Sequence, residues 1–180
     1  MMTYNFLETY KIPENVCDGL ISYFKKNKEY KHKGQSLENS KVSVDVNFYN
    51  ISKDKNILNF FEKLRVCVQN YVTKYDIKNN LKTHIENNIQ HYSPGEGFPT
   101  LHYERNFLYP HRTLVYMLYL NTVTDKGGTE FPYQNVTLSA IKGNLHIWPA
   151  DFTHPHKGII SPTQEKYIAT GWFELVKWYK

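Results

Sequence analysis

The stretch TLVYMLYL, residues 113–120, decides the fold class. It is apolar along its length and rich in the β-branched and aromatic residues that favour strands. Turn signals recur on both sides of it, in the segments SPGEG, DKGG, KGN, HPHKG and SPTQ. Short strands at this spacing indicate a sandwich or a barrel. From about Thr83 onward the sequence therefore predicts a β-sandwich of the jelly-roll kind.

The first third of the chain has a different character. Pro13 and Glu14 suit the first turn of a helix, and apolar residues then follow at helical spacing. Residues 42–49, VSVDVNFY, alternate apolar and polar side chains and predict a half-buried strand. After Ser52 an apolar stripe continues over five helical turns and predicts a long amphipathic helix with its stripe in the core: Ile57, Phe60, Phe61, Leu64, Val68, Tyr71, Val72 and Tyr75.

These segments together predict an α+β fold, a double-stranded β-helix (jelly-roll) core buttressed by N-terminal helices. At 180 residues the chain is long enough for one sizeable core. We therefore expect a single domain over residues 1–180. Within it, residues 1–82 form a helical buttress with an early strand, and residues 83–180 form the jelly-roll core.

Composition excludes several classes of protein. The net charge of +5 is modest, and its basic segment FKKNKEYKHKGQ, residues 24–35, is interpreted as a solvated helix end, so no nucleic-acid partner is expected. No apolar run approaches a membrane span, and no signal-peptide pattern opens the chain. Cys17 and Cys67 lie on apolar helix faces and predict buried free thiols. A reducing, cytoplasmic setting is the resulting expectation, while the oligomeric state is left open.

A candidate metal site begins at FPTLHYERN, residues 98–106. In a strand, side chains at i and i+2 share a face, so His102 and Glu104 project together. A third ligand is available downstream in WPADFTHPHKG, residues 148–158, from either His154 or His156. Two histidines and one carboxylate make the facial triad of non-haem Fe(II) oxygenases. The residues alone do not choose between the two downstream histidines.

Lys166 opens the predicted strand KYIATGWFEL, residues 166–175, in which Lys166, Ile168, Thr170 and Trp172 share a face. A lysine on an otherwise apolar inner face is costly unless it has an anionic partner, such as a bound dicarboxylate. The alternative is a strand-end lysine that reaches water.

These motifs, in this order and spacing, resemble the 2-oxoglutarate and Fe(II)-dependent dioxygenases of the prolyl 4-hydroxylase type. That family has His-x-Asp, then Gly-Gly-x-x-Phe-Pro, then a distal His followed about ten residues later by Lys or Arg. The chain has HYE, GGTEFP, HKG and Lys166, together with RTLVYMLYLN and HYSPGEGFPTLHYE, which are similar to two further family segments. The resemblance covers residues 89–172. It departs at Glu104, where the family usually has the shorter Asp.

The resemblance implies a role for each matched residue. His102, Glu104 and His156 would ligate iron; His156 has the family spacing to Lys166, and His154 is the fallback. Lys166 would anchor the far carboxylate of 2-oxoglutarate. Tyr92, Tyr119 and Thr170 would contact the same cosubstrate, and Trp172 would form a wall of the site. Arg112 would contact the prime substrate at the pocket mouth.

The implied activity is hydroxylation of a prolyl or other residue in a protein or peptide, with Fe(II), 2-oxoglutarate and O2, succinate and CO2 as co-products, and ascorbate in support. One alternative is the same chemistry on a free amino acid or other small molecule. Another is a non-catalytic jelly-roll binding module. The loops expected to decide the substrate are residues 34–41, 105–111 and 125–134.

Overall fold

The computed structural model describes residues 4–34, 40–78 and 80–176. These residues contain two α-helices, α1 (Glu14–Lys26) and α2 (Lys55–Lys74), and a short 3₁₀ turn at Lys28–Tyr30. Their strands are β1 (Glu8–Lys11), β2 (His32–Lys33), β3 (Val44–Tyr49), β4 (Leu81–Thr83), β5 (Glu86–Tyr92), β6 (Arg112–Tyr119), β7 (Thr129–Phe131), β8 (Val136–Leu138), β9 (Asn144–Pro149), β10 (Lys157–Gly158) and β11 (Lys166–Leu175).

The strands form two antiparallel sheets. The large sheet has the order β1-β9-β6-β11-β5-β3-β2, with β4 also paired to β11, and the small sheet has the order β10-β7-β8. Apolar side chains from both sheets pack in one cluster, which includes Val115, Trp148 and Ile168 from the large sheet and Phe131 and Leu138 from the small one. The predicted α+β jelly-roll is confirmed.

The two helices pack on the other face of the large sheet. Asp54 caps α2 by accepting hydrogen bonds from the backbone N–H groups of Asn56 and Ile57. The apolar stripe of α2 is buried against the sheet, with Ile57, Phe60, Leu64 and Tyr71 in the core. The helical stripe predicted from the sequence is confirmed.

Strand β6 is buried on both faces, which explains its continuous apolar sequence. Leu114, Tyr116 and Leu118 belong to the core beneath the helices. Their neighbours Val115, Met117 and Tyr119 belong to the cluster between the sheets. A strand covered on both sides has no polar face, and its sequence therefore does not alternate.

Strand β3 differs from the prediction of a half-buried strand. Val46 and Phe48 face the helices as expected. Asp45, however, is only 3% exposed and lines a cavity between the sheets together with Asn47. Its polar face meets an internal cavity and not bulk solvent, a distinction that alternation alone cannot make.

Residues 1–82 also contribute more strands than the single one predicted. Strands β1, β2 and β3 all pair within the large sheet. Strands β1 and β2 are four and two residues long, too short to give a periodic signal.

Cys17 and Cys67 are buried free thiols, as predicted. Neither α1 nor α2 combines the length and the apolar character that crossing a membrane requires, and they are the only α-helices in the described ranges.

Candidate metal centre and cosubstrate pocket

Two distant segments meet at His102 and His156. The backbone N–H of His102 donates to the carbonyl of His156 at 3.0 Å, and the N–H of His156 donates to the carbonyl of His102 at 2.8 Å. This antiparallel bridge aligns two residues that are 54 positions apart in the sequence and puts their side chains on the same side. The ring centroids are 4.5 Å apart.

Glu104 completes the cluster. Its Oε1 lies 3.6 Å from Nε2 of His102 and 3.7 Å from Nε2 of His156. One ligand atom from each of the three residues lies within 4.8 Å of the others. Among the described residues this is the group of histidine, cysteine and acidic side chains that can hold a metal ion.

Hydrogen bonds fix the tautomer of both histidines. Nδ1 of His102 lies 2.8 Å from the carbonyl of Thr100, and Nδ1 of His156 lies 3.1 Å from the carbonyl of His154. A carbonyl only accepts, so each Nδ1 carries a proton, and in the neutral imidazole Nε2 is then the nitrogen available as a ligand, on the side of Glu104. Burial lowers the pKa of His156 to about 4, so its imidazole is neutral at neutral pH.

Glu104 is ionised. Burial would raise the pKa of its carboxyl, but the adjacent His102, then His156 and the guanidinium of Arg112, outweigh burial and lower this pKa to about 2. The second carboxylate oxygen, Oε2, accepts from Arg112 Nη1 at 3.2 Å and from Trp172 Nε1 at 3.0 Å. Oε1 is thus the oxygen directed at the histidines.

Aromatic rings pack against the histidines. Phe98 stacks on His102 with centroids 3.9 Å apart. Phe131 stacks on His156, and Trp148 meets the same imidazole edge to face. These three contacts could not be predicted from the sequence, because they join residues from separate loops and strands.

His154, the alternative ligand, is directed elsewhere. Its Nε2 lies 2.8 Å from the carbonyl of Asn5, to which it donates, and its Nδ1 lies 2.9 Å from the hydroxyl of Thr153. Both nitrogens are therefore engaged, and His154 is outside the cluster formed by the other three residues.

Lys166 lies at the deep end of the same cavity, which has a volume of about 550 Å³. The residue is 5% exposed, and Nζ donates to the carbonyls of Gly127 at 3.1 Å and Ile159 at 3.5 Å. Burial lowers the pKa of this ammonium to about 8. In residues 4–34, 40–78 and 80–176 no carboxylate pairs with it, so an anion entering the cavity would meet an uncompensated positive charge.

The two glycines of GGTEFP are explained by this end of the cavity. Gly127 has φ +74°, a conformation that favours glycine, and its carbonyl accepts from Lys166. A Cβ on Gly128 would lie 2.3 Å from the carbonyl oxygen of Leu138 on the neighbouring strand. Neither position tolerates a side chain.

The other predicted cosubstrate residues also line the cavity. The Tyr92 hydroxyl donates to Gln90 at 2.6 Å, and Nζ of Lys166 is 5.1 Å from the Tyr92 ring centroid. The Tyr119 hydroxyl is 2.8 Å from that of Thr129, a residue that the sequence did not single out although it belongs to GGTEFP. Thr170 donates its hydroxyl to the carbonyl of Tyr116.

Arg112 was expected at the pocket mouth. It lines the cavity but is only 8% exposed. Its guanidinium lies between the rings of Tyr109 and Trp172, with Cζ 3.8 Å and 3.5 Å from their centroids. The ion pair with Glu104 is an additional contact, and contact with substrate stays a prediction.

The residues present fit the expected groups. Two imidazole nitrogens and one carboxylate oxygen form a donor set that suits Fe(II). Within the part of the chain that the structure describes, the buried ammonium of Lys166 has no acidic partner and lies beside two buried phenols, an arrangement that suits the far carboxylate of 2-oxoglutarate.

Solved structures with the same fold include prolyl hydroxylases from three sources. A viral collagen prolyl hydroxylase of Paramecium Bursaria Chlorella virus-1 has a TM-score of 0.75 at 19% identity, with 96% of this chain and 97% of that chain covered. A Pseudomonas putida prolyl-4-hydroxylase has a TM-score of 0.75 at 15% identity, with 94% and 92% covered. A Trichoplax adhaerens prolyl hydroxylase, solved with a hypoxia inducible factor peptide, has a TM-score of 0.72 at 15% identity, with 94% and 84% covered.

Comparison by sequence with curated proteins finds no match. The family model described as the 2OG-Fe(II) oxygenase superfamily, however, matches residues 71–174. That span is more than half of the chain and contains the three clustered residues, Lys166 and both cavity tyrosines. The chain therefore belongs to the 2OG-Fe(II) oxygenase superfamily and is a 2-oxoglutarate-dependent dioxygenase that uses Fe(II), with the fold of the prolyl hydroxylases.

Proposed function

We propose that His102, Glu104 and His156 ligate Fe(II), that Lys166 holds the far carboxylate of 2-oxoglutarate, and that the protein hydroxylates a prolyl residue in a protein or peptide. When bound, the iron and 2-oxoglutarate supply the oxidising chemistry, with succinate and CO2 as co-products. The protein residues bind, orient and shield these groups.

Lys166 orients the cosubstrate. Its ammonium lines the cavity 5.1 Å from the centroid of the Tyr92 ring, and its backbone lies in β11 between β5 and β6. A carboxylate there would form a charge-assisted hydrogen bond with Nζ, and Tyr92 or Tyr119 would add a phenolic donor. Thr170 lies four residues further along the same face of β11 and would make a polar contact with the bound 2-oxoglutarate.

The cavity mouth carries the observation that favours a polypeptide substrate. Leu101, Tyr103 and Tyr109 line the cavity and are also exposed to solvent. Phe107, 83% exposed, and Leu108 continue the same loop. Exposed apolar side chains at a site mouth mark contact with a macromolecule, whereas a small substrate is normally enclosed. We define these five residues as the apolar rim.

The opposite wall offers hydrogen-bonding groups that a peptide backbone can use. Asn47 on β3 pairs in register with Asn88 on β5, and Asn88 with Thr170 on β11. The side chain of Asn88 makes no hydrogen bond within the described part of the chain, and Oδ1 of Asn47 is buried without a partner. An extended peptide between this wall and the apolar rim would find both donors and acceptors.

Proline is the proposed target residue because the structural neighbours are prolyl hydroxylases, one of them in complex with a peptide. A proline ring is also an apolar group of the kind that aromatic side chains such as Tyr103 and Tyr109 bind well. Of the loops expected to select the substrate, residues 105–111 contribute Phe107, Leu108 and Tyr109 to the apolar rim. Residues 35–39 of the loop 34–41 lie outside the described residues.

A free amino acid is the second candidate substrate, since a cavity of about 550 Å³ can hold a small molecule beside 2-oxoglutarate. The test incubates the purified protein with Fe(II), ascorbate, 2-oxoglutarate and either proline-containing peptides or free proline. Succinate formed together with the gain of one oxygen atom by a peptide supports the proposal.

The control is His102→Ala, which is expected to produce no succinate above background. Oxygen gain by free proline but by no peptide would establish the second candidate instead. Substrate-dependent succinate that persists in His102→Ala would contradict the proposed ligand set.

A further inference from the structure

Glu104 is the position at which this chain departs from the usual Asp of its family. A glutamate is one methylene longer, about 1.5 Å, and has one more rotatable bond. An unrestrained glutamate would therefore present either oxygen, or both, to a metal ion. The surroundings of Glu104 remove that freedom.

Three contacts hold the side chain. The backbone N–H of Glu104 donates to the carbonyl of Ala150 at 3.0 Å, which fixes where the side chain begins. Arg112 Nη1 and Trp172 Nε1 both donate to Oε2, at 3.2 Å and 3.0 Å. With Oε2 occupied by two donors, Oε1 is left facing the two imidazole Nε2 atoms.

The two donors are themselves held in place. The guanidinium of Arg112 is covered on one side by Tyr109 and on the other by Trp172, so it has little room to rotate. The backbone carbonyl of Arg112 accepts from Arg105 Nε at 2.7 Å, and Arg105 pairs with Asp151 at 2.9 Å. Trp172 lies in β11, opposite Val115 of β6.

We propose that Arg112 and Trp172 form a carboxylate clamp that fits this metal centre to glutamate. They act as positioning residues: they bind Oε2, so that Oε1 alone is available as a ligand. Because the clamp is spaced for the longer side chain, aspartate at position 104 would be too short to reach the clamp and the histidines together. The inference rests on the proposed ligand set.

The test measures the affinity of the whole chain for Mn(II) alone by anaerobic titration calorimetry, so no substrate or turnover is needed. Trp172→Phe keeps an aromatic ring at this position beside Arg112 and removes the N–H donor, together with some ring area. We expect it to weaken Mn(II) binding by about 10-fold or more, as changes to the partners of metal ligands do. Arg112→Gln is expected to weaken it further, and Arg65→Gln, on the exposed face of α2, is the control for loss of a positive charge.

The double variant separates a clamp from a general structural role. Glu104→Asp alone should weaken Mn(II) binding by about 10-fold. Adding Trp172→Phe to Glu104→Asp should then cost only about 2-fold more, because the contact it removes is already broken. Thermal unfolding of each variant checks that it is folded, and Trp172→Phe carries the test if Arg112→Gln does not fold.

Two results would overturn the inference. The first is that folded Trp172→Phe binds Mn(II) with wild-type affinity, or that the effects of Trp172→Phe and Glu104→Asp are fully additive. If His102→Ala still loses Mn(II) binding, the proposed ligand set is supported and the clamp is not. The second is unchanged Mn(II) affinity in His102→Ala, which removes the ligand set on which the clamp depends.

Discussion

The two faces of the large sheet carry different kinds of residue, although the same strands form both. Along β11, Tyr167, Ala169 and Phe173 pack beneath the helices. The alternate residues Lys166, Thr170 and Trp172 line the cavity that also contains His102, Glu104 and His156. Because alternate side chains of a strand point to opposite faces, one face of β11 contributes to the core and the other to the candidate site.

The two faces differ in whether their polar groups are enclosed by the core or line the cavity. On the helix face the ring of Phe60 packs against those of Phe48 and Tyr116, which removes apolar surface from water, and the buried Tyr116 hydroxyl donates to Asn87. On the cavity face the ammonium of Lys166, the half-buried amide of Asn88 and the carboxylate of Glu104 face the cavity, where they can bind ligands. We therefore expect substitutions on the helix face to change folding and those on the cavity face to change binding.

The largest effect is expected at the metal centre. His156→Ala should abolish measurable Mn(II) binding, because it removes one of three ligand atoms, whereas His154→Ala should retain it, since both nitrogens of His154 are bound elsewhere. Titration calorimetry measures both variants. Loss of binding in His154→Ala with retention in His156→Ala would mean that the wrong histidine has been assigned.

The next largest effect is a loss of stability, compared between the adjacent residues Leu118 and Met117 of β6. Leu118→Ala, on the helix face, should reduce the free energy of unfolding by about 2–5 kcal/mol, the range for a buried leucine. Met117→Ala should cost less, because its side chain already borders the cavity and leaves fewer packed neighbours unsupported. Urea unfolding measures both free energies. A larger loss of unfolding free energy in Met117→Ala than in Leu118→Ala would contradict the expected difference between the two faces.

Lys166→Ala should weaken 2-oxoglutarate binding by roughly 10- to 100-fold, the loss of a hydrogen bond to a charged group, and leave Mn(II) affinity within about 2-fold of wild type. Lys142→Ala, which removes a surface lysine paired with Asp18, is the control. Both affinities come from calorimetry with each ligand. Equal losses of metal and 2-oxoglutarate would show that Lys166 is structural.

The smallest effect is a pH dependence. Burial lowers the pKa of Lys166 to about 8, and a bound carboxylate favours the protonated ammonium. Affinity for 2-oxoglutarate should therefore be greatest below pH 8 and fall by about 10-fold per pH unit above it.

In Lys166→Arg the guanidinium stays protonated, so the affinity of that variant should change little between pH 7 and pH 9. Calorimetry at several pH values measures both proteins. A flat profile for the wild type would mean that the Lys166 ammonium does not titrate in this range.

Much of the fold was predictable because its signals are local. The apolar run of β6 and the five-turn stripe of α2 each lie within one segment, and their periods indicate strand and helix directly. The spacing of His102 and Glu104 identified them as candidate ligands on one face, but the strand on which that prediction rested is reduced in the structure to an isolated bridge at His102. Strands β1 and β2 were not predictable, because segments so short become strands only when a longer neighbour pairs with them.

The third member of the proposed ligand set was predicted from the family resemblance and not from a local pattern. His156 was preferred to His154 from the family spacing to Lys166, and the structure brings His156 to Glu104 and directs His154 to Asn5. The contacts of Phe98, Thr129 and Phe131, and the ion pair of Arg112 with Glu104, were not predicted. Each joins residues whose meeting depends on the packing of two sheets and a loop.

By itself, the sequence determined which segments form helices and strands, and which residue types could ligate a metal or hold an anion, because backbone periodicity and side-chain chemistry are properties of neighbouring residues. Only the tertiary structure decided that the polar face of β3 lines a cavity and that Oε2 of Glu104 is taken by Arg112 and Trp172. Burial and hydrogen-bond partners arise when distant segments pack together, and no local pattern encodes them.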